Sequence, residues 1–192
     1  MKTRSDTRWL FPVLFLVIFF PSIGLSWSGK VVSVAEGDVV TILHDGKEEK
    51  IRLYGIDAPE KAQSFGQEAR DFASALVAGK QVEVMTKNTD RYGRTVGLVS
   101  VDGQSLNELM VTNGYAWVYR QYCKESFCLG WAKTEKAARQ SKKGMWSDSH
   151  IVPPWEFRRK GATHGSRYHK KVISSSTDPW QIRHTITQRA TP

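Results

Sequence analysis

KVVSVAEGDVVTILHDGKEEKIRLYGI, residues 30–56, sets the architecture. It is rich in valine and isoleucine. Two turn signals, EGD and HDG, cut it into three strand-length pieces. The third piece, 50–56, alternates with a period of two. Ile51 and Leu53 share one face, and Arg52 and Tyr54 share the other. Arg52 therefore leaves its strand opposite two aliphatic side chains.

Downstream, GQEARDFASALVAG places Ala69, Phe72, Ala73, Leu76 and Val77 at helical spacing. Gly79 is the expected stop. QVEVMT and TVGLVSVDG read as two more strands, separated by the polar segment KNTDRYGR. SLNELMVTNG is a second helix, with Ser105 and Glu108 as a capping-box pair. A third helix runs through GWAKTEKAARQSKKG, with Lys142 and Lys143 in its last turn. Five short strands with a helix inserted point to a small OB-type barrel in the mainly β, α+β class, with three helices packed on it. The domain is expected over 29–150. From 156 to 192 the chain is basic and Ser/Thr-rich with no sustained period, and reads as a tail without structure of its own.

The N-terminus has the three-part layout of an export signal. MKTRSDTR is basic, WLFPVLFLVIFF is a short apolar run, and PSIGLS brings a proline and small residues. A signal over 1–26 is expected, with cleavage near Ser26 and a periplasmic or secreted product. An uncleaved membrane anchor is the alternative. Export permits a disulfide between Cys123 and Cys128. The loop is short, so the gain is modest, on the order of 2–3 kcal/mol at most. A zinc site would want more ligands, and no histidine adjoins the pair.

The 192 residues carry a formal charge of +9, with a pI near 9.6. That balance suits an anionic partner such as nucleic acid. Hydrolysing a phosphodiester requires an activated water and neutralised phosphate charge. Carboxylates hold a hard divalent cation or act as a base, and arginines fork onto phosphate oxygens. Asp38, Arg52, Asp57, Glu60 and Arg94 are residues of these types, placed at strand ends and turns. Each alone also fits a solvated loop charge.

GDVVTI, IRLYGIDAPE, FGQEARDF, TDRYGRTVGLV, LNELMVTNGYAWV and KKGMWS occur in this order. On these motifs the chain, over residues 29–147, resembles the staphylococcal nuclease (thermonuclease) family. The resemblance implies a five-stranded OB-fold with three helices, and calcium-dependent hydrolysis of DNA and RNA that leaves 3′-phosphates. It implies that Arg52 and Arg94 bind phosphate and that Glu60 is the general base. It also makes Asp38, Asp57 and the Ala58 backbone carbonyl the calcium ligands, and Tyr92 and Tyr122 the nucleotide contacts. Asn107 and Glu108 match a structural pair. The chain departs from the type enzyme in a shorter, less lysine-rich segment after Glu60, in Arg120, and in the Cys123–Cys128 insert. A monomer with no stable protein partner is expected. A nucleic-acid-binding module that does not cut is the alternative, but such a module has no need for all the polar positions kept here.

Overall fold

The computed structural model describes residues 26–161. Apart from Ser26, the expected export signal lies outside them, as does the tail beyond 161. The first three strands form where the valine-rich pieces are cut. They are β1 (Ser26–Glu36), β2 (Val39–His44) and β3 (Lys47–Leu53), antiparallel in turn. Register shifts between Val31 and Ser33, and between Val34 and Glu36, bend β1. The strand expected over 50–56 is broken. β3 ends at Leu53, Gly55 turns the chain at φ +74°, and β4 (Ile56–Asp57) begins a separate two-stranded sheet. A Cβ at Gly55 would stand 2.7 Å from Cys123 Sγ, so this corner also needs glycine for close approach.

Helix α1 (Gly66–Val77) buries Ala69, Ala73 and Val77 completely, with Phe72 and Leu76 packed at the edge. β5 (Gln81–Thr89) pairs with β1, and β6 (Thr95–Val101) pairs with β5. β6 also runs parallel to β3, with Arg52 opposite Val96, and this pairing closes the five-stranded barrel. A short arm, β7 (Gln104–Ser105), leads into α2 (Leu106–Thr112). Ser105 Oγ accepts the Glu108 N–H at 3.3 Å, which is one half of the expected capping box. β8 (Trp117–Val118) pairs with β4, and α3 (Cys128–Gln140) follows.

The OB-type barrel with packed helices is as expected, with one addition. A fourth helix, α4 (154–161), occupies sequence that reads as the start of a tail. The boundary expected at 156 thus falls inside a helix. Pro153-Pro154 open it, where proline's missing N–H costs nothing. A second small core of Trp117, Ala138, Met145 and Trp146 takes Ile151 and Trp155 against it. The aromatic residues explain why the chain after 150 still packs. Composition alone hid them among the basic residues that follow.

Candidate active site

The strand alternation on β3 buries Ile51 and Leu53 and turns Arg52 to the other side. Arg52 Nη2 lies 2.5 Å from Asp57 Oδ1 and 3.0 Å from Asp38 Oδ2. Asp38 comes from the turn between β1 and β2, and Asp57 from the end of β4. Both carboxylates are buried. The Ala58 N–H donates to Asp38 Oδ2 at 2.9 Å. Two carboxylates distant in sequence therefore share one guanidinium. Burial, reinforced by the charges of Asp57 and Glu36, pushes the Asp38 carboxyl up to about 6, against the pull of Arg52 and the Ala58 N–H. Burial also works against the Arg52 charge, but Asp38 and Asp57 more than offset it.

Glu60 follows in the turn after β4. The Gln63 N–H donates to its carbonyl at 2.8 Å, and Gln63 Oε1 accepts its N–H at 3.2 Å. A Cβ at Gly66 would stand 2.0 Å from the Glu60 carbonyl oxygen, so only glycine lets α1 start this close to the turn. Gln63 Nε2 also donates to the Val152 carbonyl, tying the turn to the segment before α4.

The Glu60 side chain is bonded to a residue that the sequence reading missed. Arg158, on α4, donates from Nη1 to Glu60 Oε1. It also reaches Asp57, with Nη2 2.9 Å from Oδ2 and Nη1 3.3 Å from Oδ1. Burial opposes its charge, but the bonds to Asp57 and Glu60 hold it well above its ordinary value. The only signal in the sequence was proline at a helix start followed by WEFRR.

Of these residues, Arg52, Glu60 and Arg158 line a cleft of about 800 Å³, together with Arg94, Tyr92, Tyr122 and Trp155, while Asp38 and Asp57 are not among its lining residues. Arg94 does not join the Arg52 cluster directly. Its Nε donates to Asp90 Oδ2 at 2.7 Å, and Asp90 Oδ1 accepts the N–H groups of Tyr92 and Arg94. Burial raises the Asp90 carboxyl, but these N–H bonds and the guanidinium bring it below its ordinary value. Tyr92 is 69% exposed and Tyr122 58%, so both rings face solvent at the rim. Asn107 sits elsewhere, as a structural residue. Its side chain bonds the Val99 N–H and the carbonyls of Tyr54 and Gly97. Cys123 and Cys128 form a disulfide, and no other cysteine exists.

Among the described residues, no group of three or more His, Cys, Asp or Glu is arranged to hold a metal ion. Asp38 and Asp57 nonetheless fit a hard cation by their chemistry. They are oxygen donors, both buried, and both meet the same Arg52 nitrogen. An ion held by one or two carboxylates completes its shell with carbonyl and water oxygens.

Residues 50–148 match the model of the staphylococcal nuclease homologue family. The chain belongs to that family. An uncharacterized endonuclease of Escherichia coli O157:H7 is 40% identical over 150 residues, covering 78% of this chain and 96% of its own. A micrococcal nuclease of Shigella flexneri is 38% identical over 146 residues, covering 70% and 83%. A probable staphylococcal-like nuclease of Oryza sativa subsp. japonica is 42% identical over 113 residues, covering 59% and 33%. The family match ends at 148, before α4 and Arg158.

Proposed function

We propose that this staphylococcal nuclease homologue is an exported, monomeric, calcium-dependent nuclease that hydrolyses DNA and RNA to leave 3′-phosphate ends. The observation that carries the reading is the cleft itself. Arg52, Glu60 and Arg94 line it together, and Arg52 is joined to two buried carboxylates, Asp38 and Asp57. Family membership and the names of the relatives support the hydrolysis of nucleic acid.

Asp38, Asp57 and the Ala58 carbonyl would hold the calcium ion, which supplies positive charge beside the reacting phosphate when bound. The remaining chemistry falls to the chain. Glu60 takes a proton from a water molecule, and the water oxygen forms a bond to phosphorus. The bond from phosphorus to the 5′ oxygen breaks, and that oxygen is protonated from solvent. Arg52 is held by Nη2 alone, so Nε and Nη1 remain to meet the non-bridging oxygens. Arg94 is held by Nε and presents both Nη groups. Guanidinium donors aimed at charge that grows in the transition state speed the step, rather than only binding the substrate. Tyr92 and Tyr122 offer exposed rings at the rim for the nucleotide. The disulfide suits an oxidising compartment, in line with the export signal read from the N-terminus.

The test is digestion of single- and double-stranded DNA and RNA by residues 26–192, with calcium and with a chelator, followed by end-group analysis. Cleavage that needs calcium and leaves 3′-phosphates supports the reading. Tight nucleic-acid binding with no cleavage under any divalent ion would show the non-cutting module instead.

A further inference from the structure

Arg158 has no part in the hydrolysis described above, yet it touches two of the carboxylates that hydrolysis needs. Both of its Nη groups are engaged: Nη2 with Asp57 Oδ2, and Nη1 with Asp57 Oδ1 and Glu60 Oε1. Asp57 Oδ1 also meets Arg52. Each oxygen of Asp57 therefore faces a guanidinium. Arg52 and Arg94 are held differently, each meeting carboxylate through one nitrogen. Arg158 is spent on carboxylates, as a counter-cation is.

A hard divalent ion needs the same oxygens. The contacts agree: Asp57 meets both Arg52 and Arg158, and Glu60 meets Arg158, so an ion that takes these oxygens displaces guanidinium donors from them.

The anchoring of α4 allows the exchange. Trp155, in its first turn, stacks on Tyr119 at 5.2 Å and 10° and meets Trp117 edge-on. Gln63 holds the Val152 carbonyl just before it. Residues 157–161 are exposed, so the end that carries Arg158 is not buried in the second core, against which Trp155 is packed.

We propose that Arg158 is a tethered counter-cation that competes with the divalent ion for Asp57 and Glu60, so that ion binding and the docking of the Arg158 end of α4 oppose each other. This rests on the metal reading of the same site. Coupling is reciprocal: what the helix does to the ion, the ion does to the helix.

The experiment is calorimetric titration of calcium chloride into residues 26–192, without nucleic acid, for the native protein, Arg158→Gln and Arg158→Lys. Circular dichroism melts confirm that all three are folded. Arg158→Gln should bind calcium roughly 5- to 150-fold more tightly, the usual span of coupling between sites. Arg158→Lys keeps the charge without the fork and should fall between. In the native protein, calcium should also speed amide hydrogen exchange over 157–161. Equal or weaker calcium binding by Arg158→Gln, or exchange that calcium leaves unchanged, overturns the competition. If none of the three proteins takes up calcium, the metal reading itself falls, a result distinct from equal binding by all three.

Discussion

Asn107→Ala is the sharpest test of how the site is held in place. Asn107 is buried and is not itself part of the cleft lining, yet it bonds the backbone on both sides of the barrel closure. Its Oδ1 accepts the Val99 N–H at 3.0 Å. Its Nδ2 donates to the Tyr54 carbonyl at 3.0 Å and the Gly97 carbonyl at 3.3 Å. Gly97 O keeps a second donor, the Tyr54 N–H at 2.8 Å. The substitution thus strands two buried groups, the Val99 N–H and the Tyr54 carbonyl. Each costs about 1–3 kcal/mol, so the loss should be roughly 4 kcal/mol. Asn107→Asp would keep the acceptor for Val99 but set a buried carboxylate against two carbonyls, and it should cost at least as much. The assay is urea unfolding at neutral pH by circular dichroism. The midpoint should fall while the slope stays constant. Tyr54 lies between Arg52 and Asp57 in sequence, so the surviving folded fraction should also lose turnover. A destabilisation under about 1 kcal/mol would refute the reasoning, because it would mean that the orphaned groups find other partners.

Glu60→Gln should keep the fold and lose most of the cleavage rate, and Arg94→Lys should lose on the order of 10²–10³ in kcat because the charge survives but the fork does not; steady-state cleavage by both variants checks this. A chain ending at 161 should melt like the longer one but bind DNA less tightly at low salt, because fewer phosphates are neutralised. A chain ending at 150 loses Ile151 and Trp155 from the second core and should melt lower, read by circular dichroism. Replacing both cysteines by serine should cost about 2–3 kcal/mol in denaturant unfolding, the loop-closure value.

Most of the barrel was legible because each strand and helix carried its own punctuation. The alternation of Ile51, Arg52 and Leu53 placed Arg52 on the polar side without any structure. The break at Gly55 was not legible. It depends on Cys123 Sγ coming close, a contact across sixty-eight positions that no local pattern carries. The same is true of Asp38 and Asp57. Their residue types suggested a site, but only the barrel closure and the β4–β8 pair bring them to one guanidinium. Helix α4 escaped because it is short and its anchors are aromatic. Tyr119 and Trp117, which hold Trp155, come from another element and leave no periodicity in α4 itself.

Three of the four arginines that line the cleft, Arg52, Arg94 and Arg158, show how one side chain serves different ends. Each is paired with carboxylate before any substrate arrives, so none is a bare charge waiting in water. The pairing fixes the guanidinium, and a fixed donor does not have to reorganise when charge develops on the phosphate. What distinguishes the arginines is how much of the fork the pairing consumes. Arg52 gives up Nη2, Arg94 gives up Nε, and both line the cleft with their other nitrogens outside these pairs. Arg158 gives up both Nη groups. It therefore has less to offer a phosphate than either of the others, and more to lose when a cation comes to Asp57. The proposed division of roles rests on which nitrogens are engaged, since charge and residue type are the same in all three.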